Sequence, residues 1–476
     1  MKVTPFFTLR GVQRHFALPV LASSLLLAMS PHVIAEEKKV AESTQTGPEI
    51  WTVTSQTPAQ PLPNPLTLEY LLNEFPLRSY QAGLNQALWQ VNQAQAQSYA
   101  VQNNVQLNLE GRLSRREFTE EAQSHNRLAL HFGKVLYDGN LNQKQQLALQ
   151  GMADAEKIRF EAQRELHKIS VMRAFFDAIL ADFQFRIDNE AMAIEYIAFD
   201  KTKDRHSLGR VSDVDLLQAE SNYQTALLNR SRSEQNLLKM RLFLANTLGY
   251  AEARPDKLQL PNLKIYAQRD AKQLKLNELQ QSVEQHPQLV ALKQQWQAQL
   301  HKVVAARNAN RPVVRADAWV GQLSSYPELR EGSWRADLSL QMPLYDSGLQ
   351  DSQIEQEQAK LQHYQAQYDA LSMELREQVT DLYFQLQLLK TEQKKHYLFG
   401  DYADLYLDYS RALYENETAT DLGDSMVRLS EANYNMTEWQ FKQALLWAQL
   451  DYLQGKPLAL FVAAKTESEP QSDAEK

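Results

Sequence analysis

Asp138-Gly139-Asn140-Leu141-Asn142 opens like a calcium-binding loop, with side-chain oxygens at alternate positions. Such a loop needs a glycine at its sixth residue and a bidentate glutamate at its twelfth. Gln143 and Leu149 stand there instead, so calcium chemistry is rejected. No HExxH pair, no GxSxG nucleophile turn and no glycine-rich phosphate cradle occurs in the 476 residues. The ten histidines are scattered without ligand spacing, and His131, on the polar side of an alternating run, reads as a polar-face strand residue rather than a ligand. Trp439 and Trp447 read as helix core. The expectation is a protein that is not an enzyme and takes no cofactor and no metal.

The bulk properties agree. The chain has no cysteine, a formal charge of -8 and a mean hydropathy of -0.50, which excludes a helical membrane protein and a disulfide scaffold. Nothing basic enough for nucleic acid is present. Glycine and proline are sparse, at 15 and 17, as in long helices rather than in a sandwich or an α/β enzyme. At the amino terminus, Lys2, Arg10 and Arg14 flank the apolar run Phe16 to Met29, followed by the small-residue site Val33-Ile34-Ala35. Residues 1–35 read as a secretory signal peptide. No cysteine follows the cut, so a lipoprotein anchor is not expected. Residues 36–65 are polar, aperiodic and proline-containing, and read as a flexible leader.

Beyond the leader the chain states one plan twice. Leu136-Tyr137-Asp138 returns as Leu344-Tyr345-Asp346, and Ala219-Glu220-Ser221-Asn222-Tyr223 is answered by Ser430-Glu431-Ala432-Asn433-Tyr434. Each half reads helix, strand, strand, long helix, return helix: 66–255 with strands about 104–114 and 125–136, then 278–456 with strands about 312–323 and 333–344. Residues 256–277 are the linker and 457–476 a disordered tail. In the strands, Val105, Leu107, Leu109 and Leu113 alternate with Gln106, Asn108, Glu110 and Arg112, and Trp334, Ala336, Leu338, Leu340 and Met342 alternate with Arg335, Asp337, Ser339 and Gln341. Ten alternating residues suit a tilted membrane strand, and equally a half-buried antiparallel sheet. Trp319, Trp334, Tyr137 and Tyr345 near strand ends suit an interfacial aromatic girdle.

The helices carry coiled-coil seams, Ile169, Met172, Phe176, Ile179 and Phe183 in the first half and Val379, Leu382, Leu386 and Leu389 in the second. Leu141 to about Arg205 as one helix would be roughly 100 Å long at about 1.5 Å per residue, too long for a compact domain. Each long helix is therefore expected to fold back on its partner, with tips near Leu208-Gly209 and Asn416. Spanning strands must close into a barrel, the smallest having about eight, and this chain offers four. If the strands enter a bilayer, several copies must share one barrel. The strand-to-helix turns Tyr137-Asp138-Gly139 and Tyr345-Asp346 to Gly348 would then mark where membrane wall becomes tunnel wall. Glycine relaxes the backbone there and aspartate caps the helix.

Pro343-Leu344-Tyr345-Asp346-Ser347-Gly348, the stretch Leu208 to Glu220 (LGRVSDVDLLQAE) and the two-fold order of elements resemble the TolC-like outer-membrane efflux family over about residues 66–455. The resemblance implies a mainly α fold with a small β part. Long antiparallel coiled-coil hairpins form a periplasmic α-barrel, and four transmembrane β-strands per chain contribute to a twelve-stranded barrel in a homotrimer. It implies location in the outer membrane with a large periplasmic part. The partners it implies are outer-membrane lipid, further copies of the chain, a periplasmic adaptor (membrane fusion) protein and an inner-membrane transporter. Among its implied gate residues, Asp215 and its neighbour Asp213 lie at the first tip, and Tyr414, Asp421 and Asp424 at the second, where stacked rings of like charge would attract cations. Leu208, Gly209, Val211 and Asn416 are the implied adaptor contacts. The second tip lacks the family's usual glycine and arginine, so a gate network there needs other partners such as Arg210 or Arg411. The alternative function is a soluble periplasmic coiled-coil adaptor or scaffold whose sheet packs on itself.

Overall fold

The computed structural model describes residues 61–117, 122–325, 330–415 and 423–458. The expected signal peptide, most of the leader and nearly all of the tail lie outside the described residues. A helical turn, Leu68–Asn73, leads into α1 (Tyr80–Gln102), β1 (Gln106–Glu117) and β2 (Ala122–Tyr137). Next come α2 (Leu141–Ser207) and α3 (Asp213–Leu248). Short helical turns over residues 264–285 connect to α4 (Pro287–Asn308), β3 (Val313–Ser325), β4 (Arg330–Gln341), α5 (Leu349–Glu415) and α6 (Gly423–Leu453). The two long helices have 67 residues each, roughly 100 Å at about 1.5 Å per residue. Nothing along either one breaks the hydrogen-bond ladder, because neither contains a proline.

Helix α2 is the spine of the molecule, with α1, α3, α4 and α6 packed against it. Of the expected seams, Ile169, Met172, Phe176 and Ile179 on α2 and Val379, Leu382, Leu386 and Leu389 on α5 are buried, while Phe183 is half-buried against them. One apolar cluster joins them across the two halves of the chain, with the Phe176 and Phe441 rings stacked 4.1 Å apart. Into this cluster comes an ion pair whose carboxylate is buried. Arg269 donates twice to Asp451, at 2.7 and 2.8 Å, and its guanidinium lies 4.0 Å over the Trp447 ring. That two-pronged geometry and the cation–π contact offset the cost of removing Asp451 from water.

All four strands form one antiparallel sheet in the order β1-β2-β3-β4, so the hairpin of the second half pairs directly with that of the first. Strands β1 and β4 are its edges. The expectation that the last strand runs to about residue 344 is corrected: β4 ends at Gln341. Pro343 has no N–H to give a ladder and pushes the preceding residue toward an independent extended conformation.

Candidate functional site: sheet faces, turns and helical tips

Alternation gives the sheet two chemically different faces. Leu107, Leu109, Leu128, Leu130, Phe132, Val320, Trp334, Leu338 and Leu340 point one way and are exposed, Trp334 at 72% and Leu338 at 73%. A sheet that packed on its own protein would bury these side chains first, at ~25 cal/mol per Å² of apolar area. The other face is a cross-strand polar cluster. Glu110 on β1 receives Arg127 at 2.9 Å and lies 3.2 Å from His131, and His131 Nε2 is 2.8 Å from Asp317 on β3. Arg315 donates to the same carboxylate at 2.9 Å, and Trp319 Nε1 donates to Glu110 at 3.2 Å. One row, Asn108, His131, Trp319 and Arg335, crosses all four strands in register. Its rings stack, with Arg335 carried 5.2 Å from the Trp319 ring. Gly133 makes room for this cluster, since a Cβ there would lie 2.8 Å from the Arg315 guanidinium. Trp319 is therefore not part of a lipid-facing girdle. It shares the parity of Arg315 and Asp317 and stands on the polar face, whereas Trp334 is on the apolar one.

The two strand-to-helix turns share one conformation. In the first, Gly139 and Asn140 are both left-handed (φ 65° each); in the second, Ser347 and Gly348 are (φ 56° and 84°). Glycine thus occupies the first left-handed position in one copy and the second in the other. Asp138 accepts from the backbone N–H of Asn140 (2.9 Å) and Asn142 (3.0 Å), and Asp346 from Gly348 (3.1 Å) and Gln350 (2.9 Å). Each carboxylate satisfies otherwise orphaned N–H groups at a helix start. Each turn is also tied to the end of the helix before its hairpin. Asn142 donates to Asn103, which donates to Asp138, while Gln350 donates to the carbonyls of Ala306 and Arg307. Tyr137 and Tyr345 beside the turns are exposed.

At the first tip α2 ends at Ser207, its C-cap Leu208 has an exposed side chain, and Gly209 is left-handed (φ 69°) with open space around it. Val211 follows in the turn, and Ser212 caps α3. Ser212 Oγ accepts from Asp215 N–H at 3.2 Å, and the Asp215 carboxylate accepts from Ser212 N–H at 3.3 Å, a complete capping box. The Ser212 hydroxyl also donates to that carboxylate at 2.7 Å, and these bonds hold the Asp215 carboxyl below the usual aspartate range. Asp213, fully exposed, meets His206 across the turn at 2.6 Å. Both acidic residues singled out at this tip therefore have local structural partners.

The second tip is described only on its flanks. Asn416 and Asp421 lie outside the described residues. Tyr414 is exposed near the end of α5. Asp424, in the first turn of α6, accepts from Arg428 at 2.9 Å and from the Tyr406 hydroxyl at 3.3 Å, and the Arg428 guanidinium lies 5.3 Å over the Tyr406 ring. Arg428 and Tyr406 were not anticipated, although an Asp-to-Arg step of four on a helix signals the pair. The suggested Arg411 faces Asp408 instead, at 3.8 Å. Among the described residues no hydrogen bond or ion pair links the two tips.

Residues 279–450 match the outer membrane efflux protein family. No curated protein matches the chain. Among solved structures, the fold is similar to the Campylobacter jejuni CmeC outer membrane channel, with a TM-score of 0.66 at 13% identity over 82% of this chain and 84% of that one. It is also similar to the outer membrane protein VceC of Vibrio cholerae, with a TM-score of 0.65 at 15% identity over 82% of this chain and 96% of that one. A third is the open-state MtrE outer membrane channel of Neisseria gonorrhoeae, with a TM-score of 0.62 at 15% identity over 82% and 89%. By sequence in its second half the chain matches the outer membrane efflux protein family, and along most of its described length its fold is similar to those of solved outer membrane channels.

Proposed function

We propose that the chain is one subunit of a passive conduit through the outer membrane, in a tripartite efflux pump or type I secretion system. One observation carries the reading: the apolar face of a four-stranded sheet with two free edges is left exposed. No helix among the described residues is long and apolar enough to cross a membrane, so any insertion falls to the sheet. Its strands have 12 to 16 residues, enough to cross the hydrocarbon at the tilt of a barrel. Free edges are intolerable in lipid, so β4 of one copy must pair with β1 of the next, and three copies make twelve strands. The polar cluster of His131, Asp317 and Trp319 then lines the lumen.

In this assembly the helical hairpins, two per chain as the internal repeat supplies them, gather into a periplasmic tube. Their tips are its inner end. Asp213, Asp215, Asp421, Asp424 and Tyr414 are proposed gate residues, and Leu208, Gly209, Val211 and Asn416 proposed contacts for a periplasmic adaptor. In this proposal the energy comes from an inner-membrane transporter, as the family resemblance implies. The soluble adaptor alternative requires a sheet that shelters its leucines, and Leu107, Leu109, Leu338 and Leu340 are exposed. Reconstitution in planar bilayers tests the proposal: discrete, stable conductance steps are expected from the detergent-purified oligomer. Membranes left as tight as protein-free controls would refute it.

A further inference from the structure

Toward the helices, over the stretch of β2 from Leu128 to Tyr137 and its partners on β1, β3 and β4, the apolar face of the sheet carries one charged side chain, Lys134. Its side is settled by the residue before it. A Cβ on Gly133 would meet Arg315, Asp317 and His131, all on the polar face, so Lys134 points the opposite way. It is exposed, follows Phe132 along the strand, and lies in register with Ala316, which is itself paired with Leu338. The register slips by one residue between Val135 and Tyr137, and this bulge returns Tyr137 to the face of Val314 and Leu340. Toward the helices, β2 therefore ends on this side as Phe132, Lys134, Tyr137. No acidic residue shares that stretch of the face, and Lys134 has neither an ion-pair nor a hydrogen-bond partner among the described residues. Strand β2 is also internal, flanked by β1 and β3, so an edge contact between copies does not bring a carboxylate alongside it.

We propose that Lys134 holds the phosphate of an anionic phospholipid in the leaflet on the helical side of the membrane, an inference that rests on the lipid-facing reading above. The geometry supplies what such a site needs. The lysine stem lies along apolar surface while its ammonium reaches the headgroup level, one pleat from the tyrosine that marks that level. A cation so placed is tolerated near the interface and not at the bilayer midplane. No counter-charge for it stands among the described residues, and the lipid supplies one.

The test uses the assembled full-length protein in phosphatidylcholine vesicles with and without phosphatidylglycerol, followed by detergent extraction and mass spectrometry of the lipid that stays bound. Wild type is expected to retain phosphatidylglycerol preferentially. Lys134→Gln is expected to weaken that preference about fivefold, the value of one lysine near an anionic surface. Lys134→Arg should restore it, and Arg112→Gln, on the opposite face of the sheet, should leave it unchanged. Equal preference in wild type and Lys134→Gln, with both proteins inserted normally, overturns the lipid site and leaves the conduit standing. Failure of wild type itself to enter vesicles overturns both.

Discussion

The imidazole of His131 lies flat against the indole of Trp319, ring centroids 4.6 Å apart and planes within 10° of parallel, on strands contributed by different halves of the chain. This contact closes the seam between the two hairpins on the polar face. Stacked pairs of this kind contribute about 0.5–1.5 kcal/mol beyond their burial. Trp319→Ala should therefore lower the temperature at which the detergent-solubilised protein loses its β-sheet, while leaving the far-ultraviolet helical signal intact. An unchanged β-sheet transition would remove the stack from the account.

The two strand-to-helix turns predict unequal penalties for the same substitution. A Cβ at Gly139 would lie 2.6 Å from Arg311 Cβ, while at Gly348 nothing lies within 4 Å. Both backbones are left-handed, which alone costs a residue with a Cβ about 1–2 kcal/mol. Gly139→Ala should therefore destabilise the fold by more than Gly348→Ala in denaturant titrations. Equal losses would mean that Arg311 swings aside without cost.

His286 gives a pH dependence with a definite sign. Its side chain is buried and its Nδ1 accepts from Gln288 N–H at the start of α4, and burial lowers its pKa to about 4. The unfolded chain binds this proton from about pH 6.5 downward and the folded chain only near 4, so stability falls as pH drops through that window. His286→Asn, which keeps an acceptor at the helix start, should flatten the melting temperature against pH between about 6.5 and 4. A slope as steep as wild type would assign the acid sensitivity elsewhere.

At the first tip, Ser212→Ala should cost about 1 kcal/mol through loss of the helix cap. The Asp215 carboxyl is held below its ordinary value by Ser212, so its contribution is full above about pH 4 and disappears as pH falls through the lower folded value. Asp215→Asn should remove that acid-range component. If it instead alters channel conductance with the fold unperturbed, the residue faces the pore.

The lengths and seams of the helices were legible because proline-free heptads run without interruption, and the faces of the sheet were legible from parity. Parity also places Trp319, odd-numbered like Arg315 and Asp317, on the polar face, although its aromatic character alone suggests a girdle. The partners within the polar cluster were illegible for a physical reason. His131 and Asp317 are 186 residues apart, and their meeting depends on the register of two hairpins that no local pattern specifies. Arg428 was legible, four residues after Asp424 on one helix. The capping box of Asp215 could be read from Ser212 three residues before it, which is also why an acidic residue there is weak evidence for a gate.

The charge at the second tip predicts a selectivity. Asp424 is partly neutralised by Arg428 within its own chain. The double change Asp421→Ala, Asp424→Ala should lower cation preference or alter single-channel conductance, and Arg428→Gln should shift preference toward cations. Reversal potentials identical in all three would exclude these residues from the gate.

Subunit number in detergent tests the central claim most directly. Native mass spectrometry of the purified protein should give three copies per particle, with solubility lost when amphiphile is withdrawn. A monomer that remains in solution in plain buffer, with Trp334 and Leu338 protected from solvent-borne labelling, would contradict it.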